Sequence, residues 1–360
     1  MNTSKMFLVG AIMLLSGCKK DVGPGTATGS TDNDMNVEWD IPFKLVKDGG
    51  VGKDGIRSVD APVVVDRNSA TFLKDDELIL GLKYGNTVIA YPHKILDYHE
   101  IVNHGIADFN YAISYCPLTG TGVLYNRKIN GKLTTFGVSG LLFNSNLILY
   151  DRASDSMWPQ MMLKSVQGEH RGVENEFHQL IETTWGTWKK WFPNSKVMSV
   201  SENLGKNYDR YPYGDYKTNN AYLLFSVPAK LKTIPQKERI LGIRNNGEVI
   251  YTRFSNFSES NPFTVKSIGE DKVYVFGSEK DNYMFAYFGK TTTGTVINIS
   301  EVLLGKEVEA LFKDTEGNKW NIMGEAIEGK RKGQKLKIPE NYIGYAFAWG
   351  AFYPDFFVTE

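Results

Sequence analysis

The residues best suited to chemistry are one cysteine and one histidine. The chain has two cysteines, and Cys18 sits where an export signal would be processed. That leaves Cys116 as the single thiol of the mature body and excludes an intrachain disulfide. A lone thiol in an oxidising compartment is either buried and inert or used as a nucleophile or metal ligand. All five histidines, His93, His99, His104, His170 and His178, share the first half of the chain with Cys116. The stretches His99–Asn103 and Phe109–Tyr115 read as strands joined by a tight turn at Ala107-Asp108. Pairing across that turn matches residues whose numbers sum to 215, so His99 is expected opposite Cys116. Directly opposed residues hold their Cβ atoms about 4.5 to 5.5 Å apart, close enough for an imidazole and a thiolate to interact or to share a metal.

Two chemistries follow for such a pair. As ligands, with Met157, Met161 and Met162 further along the chain, they would suit copper, whose softer state takes Cys and Met, or zinc, which accepts Cys and His with a carboxylate. As base and nucleophile, His99 would lower the pKa of Cys116, and backbone amides of the loop Thr119–Gly122 would face an oxyanion.

The elements that must position these residues are repeated. Glu77–Gly81 recurs as Glu238–Gly242, Val88-Ile89 as Val249-Ile250, Gly168 and Gly172 as Gly329 and Gly333, Trp188 as Trp349, and Phe192-Pro193 as Tyr353-Pro354, all at an offset of 161 residues. Trp158 has its counterpart in Trp320, at an offset of 162. We therefore expect two homologous halves, 55–193 and 238–355, joined by a linker over 194–237. Short runs of Val, Ile, Leu, Tyr and Phe between Gly, Asn and Asp turns predict strands in both. Asn130-Gly131 predicts a hairpin, because a type I′ turn needs positive φ at both central residues. Each half closes with a helix. Thr183 or Thr184 caps the first, Trp185, Trp188 and Trp191 share a face, and Pro193 stops it; Ala346, Trp349 and Phe352 before Pro354 echo that spacing. A tryptophan stripe of helical period, present twice, reads as core rather than as a stacking platform. The expected fold class is α+β and β-dominated, each half ending in a short aromatic helix. Histidine and cysteine do not follow the repeat: Ser260 and Gly277 stand where the first half has His99 and Cys116. The first half is thus expected to bear the site and the second to support it.

Residues 1–17 have the three parts of an export signal: a charge at Lys5, an apolar run Met6–Leu15 and small residues before Cys18. The run is too short to span a hydrocarbon core, which takes about 20 apolar residues. Leu-Leu-Ser-Gly-Cys18 resembles the bacterial lipobox, which implies acylation of Cys18 and anchoring by more than one chain. Residues 18–34, rich in Gly, Thr, Ser and Asp, read as a flexible tether that would hold the body roughly 20 Å from the bilayer. The expected place is the bacterial cell envelope. Lys plus Arg equals Asp plus Glu at 41 each, and removing the signal leaves 40 basic and 41 acidic residues, so no field would draw in nucleic acid. A composition of 42% hydrophobic and 23% charged residues belongs to a folded chain and excludes a disordered or rod-like one. No Walker loop, dinucleotide fingerprint or HExxH is present, and Ser139 in Gly-Val-Ser-Gly lacks the spacing of a G-x-S-x-G elbow. Lys330-Arg-Lys332 reads as a solvated turn.

Three blocks, Tyr91–Asn103, Ser114–Gly122 and Phe136–Arg152, with Trp158-Pro-Gln160 and Gly214-Asp215-Tyr216, resemble the family labelled domain of unknown function 3179 over roughly residues 55 to 355. His99, Glu100, Asn103, Cys116, Ser139, Asn144, Asp151, Arg152, Trp158 and Gln160 fall in these blocks. The family pattern often has an aspartate where this chain has His104 and another where it has Asn146, and frequently a second cysteine where it has Thr119. The resemblance implies a bacterial or archaeal protein, often exported, and brings no activity with it. The functional expectation is a lipid-anchored protein with a metal or thiol site at His99 and Cys116. The alternative is a non-catalytic surface lipoprotein that binds a ligand or partner, with 39 Tyr and Phe residues and seven Trp as stacking surfaces and with His99 and Cys116 as satisfied core groups.

Overall fold

A computed structural model describes residues 38–199, 205–227, 231 and 234–354. The expected signal 1–17, Cys18 and the tether 18–34 lie outside the described residues. The fold is β-dominated, with three short α-helices among the described residues: α1 (His93–His99), α2 (Trp185–Trp191) and α3 (Ala346–Phe352). No helix among the described residues is long and apolar enough to cross a membrane.

Runs rich in Val, Ile and Leu become strands buried on both faces. Leu78–Tyr84 and Thr87–Pro92 form the middle of a five-stranded sheet ordered Ile181–Thr184, Leu78–Tyr84, Thr87–Pro92, Lys196–Ser199, Val63–Asp66, with Lys196–Ser199 parallel to Thr87–Pro92 and the other pairs antiparallel. Ile101–Ile106, Phe109–Cys116 and Thr121–Asn126 form an antiparallel meander. A four-stranded sheet adds Val46–Asp48, Phe136–Phe143, Asn146–Asp151 and Met157–Pro159. Later in the chain, Arg239–Asn245 pairs with Glu248–Arg253 and Glu340–Tyr345, Phe263–Phe288 folds into a second meander, and Ile299–Glu328 into a second four-stranded sheet.

The predicted hairpin is present: Lys128 pairs with Leu133 and Ile129 with Lys132 across Asn130 and Gly131, whose φ values are 47° and 82°. The closing helix α2 is capped by Thr184, whose hydroxyl accepts from the Thr187 N–H at 3.2 Å. Trp185, Trp188 and Trp191 are all buried, as a core stripe should be. Gly81 lies beneath the Trp188 indole and Gly242 beneath that of Trp349, where a Cβ would overlap either ring.

The register also forms as predicted: Ile101 opposes Ser114 and Ile106 opposes Phe109, with Ala107 turning at φ 52°. The ladder continues only to Glu100, whose carbonyl accepts from the Tyr115 N–H at 2.8 Å. The expectation of a strand over His99–Asn103 is corrected here. His93–His99 is helical, and Glu100 ends it in the left-handed conformation at φ 56°. Ile95, Leu96 and His99 are buried, the i, i+1, i+4 signature of one helical face, and Pro92 supplies an extended residue just before the first turn.

Among the described residues the buried side chains form five clusters, of which the two largest cross between the two parts of the chain. One joins Tyr125, Phe136 and Trp158 to Tyr342 and Trp349, and the other joins Trp185 and Trp188 to Phe276 and Trp320. Each therefore draws side chains from both ends of the chain.

Candidate functional site around helix α1

Cys116 and His99 do not meet. The Cys116 sulfur accepts from the Leu147 N–H at 3.4 Å and lies 3.9 Å from the Ser145 carbonyl. Burial first, then the carboxylate of Glu100, pushes its pKa up to about 11, so the thiol stays protonated. His99 donates from Nδ1 to the Arg57 carbonyl at 2.7 Å and accepts at Nε2 from the Tyr208 hydroxyl at 2.8 Å. Burial holds its pKa below the usual value, and both nitrogens are used. The reason is the helix: with Glu100 turned left-handed, His99 leaves the ladder one residue before it would oppose Cys116. The expected oxyanion amides are also engaged. Thr119 and Gly120 both donate to the Cys116 carbonyl, at 3.2 and 2.8 Å, and close the hairpin turn. Among the described residues, no group of three or more His, Cys, Asp or Glu side chains could hold a metal, so the expected copper or zinc centre on His99 and Cys116 lacks a ligand cluster there.

The other residues singled out by sequence tie strands together. Asn103 donates to Phe136 O at 2.8 Å and accepts from Phe136 N at 2.8 Å. Gln160 and Asn146 meet at 2.8 Å, with Gln160 also accepting from Thr121 Oγ1 at 2.5 Å. Asp151 accepts from the Trp158 indole at 3.1 Å, as Asp314 does from Trp320 at 2.9 Å. Ser139 donates to Ile148 O at 2.6 Å, and Asn144, at φ 51°, donates to Ala351 O at 3.0 Å. Arg152 bridges Asp54 and Asp60 at the surface. Glu100 is different: it is buried, it accepts from the Tyr213 hydroxyl at 2.8 Å, and desolvation raises its pKa to about 7.

The unusual polar chemistry lies on the opposite side of α1. His93 is the first residue of the helix and Asp97 stands one turn on, both about 5% exposed. The irregular segment 205–227 is bound across the helix. Lys94 pairs with Asp209 at 2.7 Å, the Tyr98 hydroxyl donates to Arg210 O at 2.6 Å, and Lys217 pairs with Asp97 Oδ2 at 2.8 Å. Between segment and helix lies a cleft of about 390 Å³, lined in part by His93, Lys94, Asp97, Tyr208, Tyr211 and Lys217. Behind it, Glu182 is ion-paired with Arg239, and its Oε1 is 3.9 Å from His93 Nε2, too long for a hydrogen bond. The His93 ring packs on Tyr115 with centroids 4.3 Å apart.

Four polar atoms of this cluster are buried with no hydrogen-bond partner among the described residues: His93 Nδ1 and Nε2, Asp97 Oδ1 and the Tyr211 hydroxyl. Such atoms are rare because each costs about 1 to 3 kcal/mol. Burial, then the charges of Lys217 and Arg239, drives the His93 pKa well below its usual value, so the imidazole is neutral and offers one donor and one acceptor. Burial outweighs Lys217 at Asp97 and raises its pKa to about 6. A larger depression of about 560 Å³, bounded by Trp191, Ser258–Phe263 and Val302–Lys306, has no unpartnered buried polar atom among its lining residues.

The family model described as a protein of unknown function, DUF3179, matches residues 53–356, most of the chain. The chain is a DUF3179 protein. No curated protein and no solved structure matches it. In this DUF3179 chain, sequence reasoning passed over His93, Asp97, Glu182, Tyr211, Lys217 and Arg239. A signal for two of them was present, since His93 and Asp97 are four residues apart in a segment of helical periodicity. Glu182, Tyr211, Lys217 and Arg239 come from three other segments and carry no local mark.

Proposed function

We propose that this DUF3179 protein is an exported, lipid-anchored binding protein for a small polar molecule, and that its site is the cleft between α1 and segment 205–227. The observation that carries the reading is that His93, Asp97 and Tyr211, which together hold four buried polar atoms without a partner among the described residues, all line one cleft. Buried polar groups left without protein partners are what a ligand with matching donors and acceptors would satisfy. Its volume falls within the usual range for small-molecule sites, about 300 to 1,000 Å³. The anchor rests on Cys18 within its lipobox-like context, which would place the body at the bacterial cell envelope.

The body is proposed to be a duplication of 55–193 and 238–355. The offset of 161 residues supports it, as do the matched Gly81 with Trp188 and Gly242 with Trp349 packing and the matched Asp151 with Trp158 and Asp314 with Trp320 bonds. In this reading the second copy has lost helix α1, since Phe254–Asn256 is a single 3₁₀ turn at the corresponding place. It has gained a supporting role through Arg239.

The test is hydrogen exchange on the full chain, with and without a low-molecular-mass extract of bacterial cells. Slower exchange in α1 and 205–227, absent in a His93→Phe and Asp97→Asn double variant, is expected. Unchanged exchange in those segments, or equal slowing in the double variant, would contradict the reading.

A further inference from the structure

We propose that the cleft ligand is a neutral polyhydroxy compound of about monosaccharide size, an inference that rests on the binding role proposed above. The first argument is charge. The charges lining the cleft balance, Glu77, Asp97 and Asp209 against Lys94, Arg210 and Lys217, and the buried ones are paired: Lys217 sits on Asp97, Arg239 on Glu182, and Lys94 on Glu77 and Asp209. Arg210 stands exposed at the rim outside these pairs, and an ion held among the buried groups would have to break one of them.

The second argument is the kind of hydrogen bond on offer. Ionised Asp97 offers Oδ1 as an acceptor and no donor, the neutral His93 presents one N–H and one lone pair, and the Tyr211 hydroxyl does either. A complement must therefore donate to the carboxylate while both donating and accepting at the imidazole. Hydroxyl groups do all three without regard to orientation, since each carries one donor and two lone pairs. Adjacent hydroxyls would span His93 and Asp97, which lie one helical turn apart on α1. The third argument is the wall: Tyr208 and Tyr211 line the cleft, with Lys217 over the Tyr211 ring at 4.2 Å, and aromatic rings suit the C–H side of such a molecule.

The experiment is calorimetric titration of the full chain with neutral probes (glucose, galactose, N-acetylglucosamine and myo-inositol) and charged probes (acetate, inorganic phosphate and ethanolamine). Saturation-transfer NMR on the same samples reports contact with the aromatic rings. Binding of at least one neutral probe is expected, weakened about tenfold or more by Asp97→Asn and by Tyr211→Phe. The Tyr211→Phe variant removes a buried hydroxyl with no partner among the described residues, so it should not lower the melting midpoint and remains informative if Asp97→Asn does not fold. Binding of a charged probe alone, lost in Tyr211→Phe, would overturn the polyhydroxy assignment and leave the cleft as a binding site. No probe bound, with hydrogen exchange in α1 also indifferent to the cell extract, would overturn both. Binding unaffected by either variant would place the ligand elsewhere and overturn the inference.

Discussion

A carboxyl group buried without a full counter-charge stores a pH dependence that can be read one residue at a time. Glu100 has a folded pKa of about 7 against 4.5 for the free group. The folded state therefore binds the proton more tightly than the unfolded one, and this contribution is fully present below about pH 4.5 and lost as pH rises through 7. The loss at pH 8 is on the order of 3 kcal/mol. Glu100→Gln keeps an acceptor for the Tyr213 hydroxyl and removes the charge. Urea unfolding should find it more stable than wild type at pH 8 and nearly equal at pH 4.5, and equal differences at both pH values would contradict the burial. Cys116 makes the companion prediction. With its pKa raised to about 11 and its sulfur enclosed, iodoacetamide should label it at pH 8 no faster than the chain unfolds. At this scale the sequence shows that Cys116 is the only thiol of the body, but not that it is inert. That depends on Ser145 and Leu147, brought to the sulfur from about thirty residues on.

Elements with a strong local signal were legible, and those whose signal competes with a neighbour were not. Asn130-Gly131 dictates its turn through backbone conformation alone, and Thr184 with Pro193 brackets α2. The meander register was readable because Ala107 and Asp108 leave a two-residue loop and the pairing follows by counting. Helix α1 was obscured because Ile101 and Val102 extend its apolar run directly into a strand. The left-handed turn that separates them falls on a glutamate, which carries no mark for it. Close packing at this scale is testable at Gly81. Gly81→Ala would drive a Cβ into the Trp188 indole, and a loss of about 3 kcal/mol is expected in thermal or urea unfolding. A change within 0.5 kcal/mol would mean that α2 does not press on the sheet as described.

Over the whole molecule, the cleft and the two largest buried clusters depend on residues from both parts of the chain. Arg239 holds Glu182, which is buried behind His93. Arg239→Ala leaves that carboxylate unpaired and should cost about 3 kcal/mol, measured by urea unfolding at pH 7.5. A fragment of residues 38–237 lacks Tyr342, Trp349, Phe276 and Trp320 from the two largest clusters but keeps the cluster of Tyr91, Tyr111 and Tyr115 whole, so its near-ultraviolet circular dichroism should lose most of the tryptophan signal and retain part of the tyrosine signal. This mutual dependence is why the site was only partly readable. Sequence placed the chemistry in the part of the chain that carries all five histidines; the proposed cleft draws His93 from that part and has Arg239 of the second part behind it.

The central claim is that His93, rather than the pair Cys116 and His99, is the group that meets a ligand. The most direct measurement is the long-range ¹H–¹⁵N imidazole spectrum of the full chain as the low-molecular-mass extract is added. The account predicts that the His93 ring nitrogens shift while those of His99, already bonded to Arg57 and Tyr208, hold still. A stationary His93 with a moving His99 would contradict it.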